Sequence, residues 1–189
     1  MKTKNIERYL ESFGKYVVKQ SKTILSKKKK NVTKKLYNSI KFEVTKDSVK
    51  FFMLDYGSFV DKGVSGNKKI QEYITYDGRK IESPYKYTTK GPPIDIISKW
   101  IKKRGIKVKG LGRGRSKTYT RKDGTEVKGT GRFLSGFAYL ISKKIKRDGI
   151  KGIGFFQRPL QLGLKNFPKD FLKALKEDIL EGITTVKVN

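Results

Sequence analysis

The stretch DYGSFVDKGVSG, residues 55–66, decides how the rest of the chain is read. It follows the most apolar run in the sequence, VKFFMLDY at 49–56, and sets two acids, Asp55 and Asp61, among flexible glycines. Two readings are open. Paired carboxylates beside glycines can begin an active site. The same residues can equally form a corner that turns a strand into whatever follows. In the corner reading Tyr56, Phe59 and Val60 form one short helical turn against the core, and Gly63 takes a backbone conformation that a side chain obstructs. Asp61 then serves as a hydrogen-bond or ion-pair partner, at a subunit interface or within the corner itself.

What flanks the stretch favours a mixed fold. Upstream, residues 5–26 carry Ile6, Leu10, Phe13, Val17 and Ile24 at helical spacing, with a lapse near Gln20 and Ser21. SKKKK at 26–30 closes that pattern as a solvated, basic helix end. NSIKFEVTKDSVKFFMLDY then alternates as a hairpin turning at Lys46-Asp47-Ser48. Downstream, YITYDGRKIE (73–82) and TYTRKDGTEV (118–127) each place Asp-Gly between short alternating runs, the pattern of a β-hairpin. Between them Pro92 and Pro93 open a helix with Ile94, Ile97, Trp100 and Ile101 as its stripe, closed by Gly105. A third helix carries Phe133, Phe137, Leu140, Ile141 and Ile145. After a glycine-punctuated connector, a last helix carries Phe167, Phe171, Leu172, Leu175 and Ile179, with Pro168 near its start. GITTVKVN at the end reads as a short edge strand. The expected fold is α+β: a small antiparallel sheet packed by the N- and C-terminal helices, with projecting basic β-hairpin arms. It is expected as one domain over 1–189, with arms or loops inserted at 64–91 and 106–131.

Composition narrows the chemistry. The 189 residues include 46 Lys+Arg against 17 Asp+Glu, a net charge of +29. Such a chain seeks a polyanion or an acidic surface. There is no Cys and no His. That removes disulfides, thiolate zinc sites, cysteine nucleophiles and every histidine-based triad. A magnesium nuclease would need converging carboxylates, for which Asp55, Asp61, Glu72, Asp77, Glu82 and Asp95 are the candidates. Asp77 sits in a turn signal and Asp95 in a first helical turn, where acids are favoured for local reasons. GLGRGRSK at 110–117 lacks the spacing of a phosphate-binding loop. No catalytic residue, metal or cofactor is expected. No run is long and apolar enough to suggest a membrane span. The first residues lack a signal-peptide core, so a cytoplasmic site of synthesis is expected.

Residues 107–132 are rich in Gly, Lys and Arg, with Asp123 and Glu126 as their acids. Lys107, Lys109, Arg113, Arg115, Lys117, Arg121 and Lys122 are candidates for contact with phosphates or an acidic partner, and Tyr119 for stacking. Without a recognition motif, any nucleic-acid contact is expected to be independent of sequence.

Three segments, taken in order, resemble the small tail-completion proteins of tailed phages. YGSFVDKGV (56–64) resembles that family's Tyr-Ala-x-x-Val-Glu-x-Gly-Thr signature. PPIDIISKWIKKRGI resembles its Pro-led helix with a central Trp, and FAYLISKKIKRDGIKGIGFFQRPLQLGL its late helix, Gly-Ile-x-Gly connector and closing element. On this match Tyr56, Val60, Asp61 and Gly63 take the motif positions, while Phe156 and Pro159 fall near the closing element in altered order. Gly57 stands where Ala is usual, and Val64 where a small hydroxyl residue is usual. The resemblance implies a non-enzymatic virion protein, assembled in the host cytoplasm. It implies a homo-oligomeric ring at the head–tail junction, as tail completion, tail terminator or neck connector, against portal, connector or tail-tube proteins. A basic loop facing the channel would touch genomic DNA non-specifically. The alternative is a sequence-independent nucleic-acid-binding protein or DNA-packaging accessory.

Overall fold

The computed structural model describes residues 4–30, 32–46, 48–106, 118–120, 124, 126–128 and 132–184. In chain order these form α1 (Lys4–Lys27), α2 (Lys35–Ser39), β1 (Lys41–Val44), β2 (Val49–Phe52), α3 (Gly57–Lys62), β3 (Gly63–Val64), β4 (Glu72–Ile74) and β5 (Lys80–Glu82). There follow α4 (Ile94–Arg104), β6 (Thr118–Thr120), β7 (Glu126–Lys128), α5 (Arg132–Asp148), β8 (Ile150–Lys151) and α6 (Gln157–Thr184). The class is α+β, with long N- and C-terminal helices packed together and small two-stranded antiparallel sheets. The residues group into two compact units. The first comprises Met1–Val64, Gln71–Tyr85 and Lys151–Asn189, the second Ser65–Ile70 and Lys86–Ile150.

In the first unit α1 buries Ile6, Leu10, Phe13, Gly14, Val17, Ser21 and Leu25 along one face. The apparent lapse at Ser21 is therefore no lapse. A small side chain sits on the buried stripe, and Leu25 rather than Ile24 completes it. Ile6 and Leu10 meet Ala174 of α6, with Tyr9, Phe167, Phe171 and Leu175 packed around them. Leu25, Leu36, Ile40 and Phe155 form a second cluster. The two are joined by a seam of rings: Tyr9 to Phe167 at 5.4 Å, Phe167 to Phe13 at 5.1 Å, Phe13 to Phe51 at 6.3 Å and Phe51 to Phe156 at 5.4 Å. Each such pair is worth about 0.5–1.5 kcal/mol beyond the area it buries, so the seam ties α1, β2 and α6 into one core.

The hairpin β1–β2 pairs Lys41 with Phe52 and Val44 with Val49, as the alternation predicts. The short helix α2 was not expected; it buries Leu36 and delivers Ile40 into the core. The hairpin β4–β5 also forms, but its turn is longer than two residues. Ile74 pairs with Lys80, the Thr75 N–H donates to the Arg79 carbonyl, and Gly78 takes φ 89°. This hairpin groups with the first unit; Gln71 and Thr75 at its ends are buried, while Ile74, Tyr76 and Ile81 are exposed.

α6 starts well before the expected position, at Gln157, and runs through Pro168. Pro159 is buried in its first turn, where a missing N–H costs nothing. The expected edge strand is not formed at Gly182–Thr184, which continue α6, and 185–189 lie outside the described residues.

In the second unit α4 packs on α5 through Ile97, Ile101 and Ala138, with Ile94, Phe137, Ile141 and Ile145 around them. Gly105, at φ 61°, ends α4 as expected. Trp100 and Leu140 were placed on the buried stripes, but both are exposed, and Ala138 holds the central place on α5. The last carbonyls of α5 are satisfied by the Asn67 and Lys68 N–H groups, donated to Lys146 and Arg147.

Candidate functional site

The corner at 54–64 is built by backbone bonds that close one after another. The Leu54 N–H donates to Ser39 Oγ at 3.2 Å, fixing the end of the strand against α2. Gly57 N donates to the Leu54 carbonyl and Val60 N to the Tyr56 carbonyl, which starts α3. A Cβ at Gly57 would lie 2.7 Å from Met53 Sδ and 3.0 Å from Leu36 Cδ1, so the alanine usual in the motif would require the Met53 side chain to shift. Gly63 ends α3 at φ 81°, ψ 179°, a region that glycine alone occupies without strain.

The connector 151–156 then wraps this corner. Ile153 N donates to the Val60 carbonyl and Gly154 N to the Asp61 carbonyl, at 3.1 and 3.0 Å. Gly152 touches the backbone directly: a Cβ there would lie 2.5 Å from the Asp61 carbonyl oxygen and from the Lys62 carbonyl carbon.

Asp61 is the centre of this arrangement and is 2% exposed. Its Oδ1 accepts the Phe156 N–H at 2.7 Å and the Gln157 N–H at 3.4 Å. These are orphan donors at the start of α6, which an acidic group satisfies while meeting the positive end of the helix dipole. Burial pushes the Asp61 carboxyl above the ordinary range, and the Phe156 and Gln157 N–H groups and the Lys62 charge pull it part of the way back. Asp61 is thus a helix cap supplied from 95 residues away in the chain. Of the two places expected for its partner, a subunit interface or the corner itself, the bonds from Phe156 and Gln157 lie within its own chain.

A second buried acid does the same work at the opposite end of α6. Asp178 is 0% exposed; its Oδ1 accepts the Asn5 N–H at 2.9 Å and its Oδ2 the Ile6 N–H at 3.0 Å, capping α1. Burial raises this carboxyl, but the bonds from Asn5 and Ile6 outweigh it and hold the group below its ordinary value. Sequence reading did not single out Asp178, because nothing near it in the chain marks it as a cap.

Of the other acids considered for a metal site, Asp77 and Glu72 are locally engaged. Asp77 accepts from Thr75 Oγ1 and from Arg79 Nε, and the Thr75 bond, ahead of the others, holds its carboxyl below the ordinary value. Glu72 pairs with Lys80 at 2.5 Å. Among the described residues no three acidic side chains come together as metal ligands, and no helix is long and apolar enough to cross a membrane.

Of the expected site residues, the structure brings Tyr56, Phe59, Val60, Asp61 and Gly63 together in one turn. Their roles differ. Val60 packs on the Leu25 cluster. Tyr56 and Phe59 were expected to pin the corner to the core, yet they are 41% and 43% exposed. Phe59 lies edge-on to Tyr85 with ring centroids 4.3 Å apart. Leu54 and Phe52 are exposed beside them. Lys107, Lys109, Arg113, Arg115, Lys117, Arg121 and Lys122 lie outside the described residues, and Tyr119 is described only in its backbone pairing with Val127.

No protein-family model, curated protein or solved structure matches the chain.

Proposed function

We propose that this protein is a non-enzymatic structural subunit of a tailed-phage virion, one copy in an oligomeric ring at the head–tail junction. One observation carries the reading. The segment that resembles the tail-completion signature folds into a rigid, internally satisfied corner, and its aromatic residues Tyr56 and Phe59 stand out of it, beside Leu54 and Phe52. Apolar side chains held on a stiff turn are costly to expose and mark a surface that another molecule covers. A ring needs two different patches per subunit, each docking on its complement next door. This corner supplies one of them. The two deeply buried acids, both used as helix caps, favour a structural role over a catalytic one.

The test is the oligomeric state of the purified protein, by light scattering and negative-stain imaging, alone and with isolated phage heads or tails. Rings, or a monomer that becomes part of the junction on its partner, are expected. Tyr56→Ser with Phe59→Ser should keep the melting temperature and lose assembly. Antibody label on virions away from the head–tail axis, or full assembly by the double variant, would overturn the reading. The second reading, a sequence-independent nucleic-acid-binding protein, is favoured by a separate surface on α1.

A further inference from the structure

Part of the chain's basic charge lies along α1, where Lys15, Lys19 and Lys22 stand at i, i+4 and i+7, and Lys27 follows at the helix end. From Lys15 to Lys27, at 1.5 Å per residue, the four positions span roughly 18 Å of helix. They rim an open groove of about 610 Å³ between α1 and the α2–β1 segment. Its apolar lining comes from Val18, Tyr37 and Phe42, and no acidic side chain lines it. Lys22 Nζ already sits 5.3 Å over the Tyr37 ring, so cation and ring face are presented together. Lys15 is paired with Glu11 at the groove's edge, an exposed i,i+4 bond that contributes little and yields readily to a stronger anion.

What the groove lacks is equally informative. Its two aliphatic hydroxyl groups are engaged by their own helix: Thr23 Oγ1 donates to the Lys19 carbonyl at 2.9 Å and Ser26 Oγ to the Lys22 carbonyl at 3.0 Å. A peptide laid here would need partners for its backbone N–H and C=O groups. The groove instead offers a row of mobile positive charges over ring and aliphatic surface. That combination suits a polymer with a regular negative backbone and flat, stackable faces.

The geometry points to a binding site for single-stranded nucleic acid in this groove, with Lys19, Lys22 and Lys27 on the phosphates and Tyr37 stacking on a base. It is formed by α1, α2 and β1, residues distinct in the sequence from the basic segment 107–132, and holds whether or not the protein forms a ring. Recognition is by charge and stacking and is independent of sequence.

The test is fluorescence anisotropy of the full chain with a labelled oligo-dT, over a series of salt concentrations. For single strands the logarithm of affinity falls with that of salt by about 0.7 per phosphate contact. Lys19→Ala, Lys22→Ala and Lys27→Ala together should therefore flatten the slope by about 2 and weaken binding on the order of 100-fold at 0.1 M salt. Tyr37→Ala should weaken binding about 5- to 150-fold and leave the slope unchanged. Melting curves establish that each variant is folded. The matched control replaces Lys165, Lys169 and Lys173, exposed on α6, with alanine; it should change binding by less than a tenth of the groove effect. Equal losses from the α6 control would reduce the interaction to net charge and overturn the site. So would duplex DNA binding as tightly as oligo-dT with no response to Tyr37→Ala. Displacement of the oligonucleotide by polyglutamate at matched charge would overturn nucleic acid as the partner.

Discussion

Removing the Asp61 carboxylate tests the corner directly. In Asp61→Ala the Phe156 N–H, bonded at 2.7 Å, and the Gln157 N–H, more weakly held at 3.4 Å, lose their acceptor at a site that is 2% exposed. A buried donor left unsatisfied costs about 1–3 kcal/mol. The shorter bond should count nearly in full and the longer one in part. Against this stands the relief of no longer burying a carboxylate, visible in the upward push on its ionisation. The net expectation is a loss of about 2–3 kcal/mol, larger than the ~1 kcal/mol typical of an exposed cap. For a chain of this length that corresponds to a melting temperature lower by roughly 5–10 °C. Asp61→Asn keeps an acceptor oxygen and sheds the buried charge, so it should stay within about 1 kcal/mol of the parent. Thermal melts followed by circular dichroism give the totals. Amide hydrogen exchange places the effect, with protection lost at Phe156 and Gln157 in the alanine variant and kept in the asparagine one. Asp61→Ala melting within about 2 °C of the parent, or Asn as damaging as Ala, would refute the capping account.

Three further outcomes are expected. Gly63→Ala forces a side chain into φ 81°, ψ 179° and should cost about 1–3 kcal/mol in denaturant titration; an unchanged midpoint would mean the turn can relax. The two caps should titrate in opposite senses. Asp61 is raised in the folded state, so its contribution is best at low pH and declines as pH rises from the ordinary value of 3.8 through the folded one. Asp178 is lowered, so its contribution is full above 3.8 and is lost as pH falls through the folded value. Relative to the parent, Asp61→Asn should therefore gain stability with rising pH and Asp178→Asn should recover with falling pH, both read from urea midpoints between about pH 3 and 7. Finally, Ala138→Leu should destabilise by about 1–3 kcal/mol through overpacking, while Leu140→Ala, at an exposed position, should stay within about 0.5 kcal/mol; the reverse order in thermal melts would return Leu140 to the core.

These contrasts explain which parts of the fold are legible in the sequence. Elements with strong local signals fall where the sequence puts them: the stripe of α1, the alternation of β1–β2, the Pro-Pro start and glycine end of α4. Boundaries set by distant residues do not. No Ser, Thr, Asp or Asn stands at 153–156 to announce a helix start, so Pro168 drew the expected start to itself. The true start at Gln157 is specified by Asp61, across the fold. Stripes also mislead where a small residue takes the central place, since Leu140 scores as core in the sequence while Ala138 is the residue buried against α4. At the site, the glycine spacing of GIKGIG was visible, but its purpose was not. Gly152 is required by the backbone of residues 61–63, which no local pattern can express. The lysine row of α1 was not singled out in the sequence, because the rings that floor the groove come from α2 and β1.

The two caps also order events during synthesis. The amide groups that open α1 are made long before the carboxylate that completes them, which belongs to residue 178. The start of α6 meets the reverse situation: its cap, residue 61, is waiting long before residue 157 exists. The second unit needs nothing beyond residue 150. It can therefore close while the first unit is still an open book, its N-terminal helix unsealed until the final turns of α6 have left the exit tunnel.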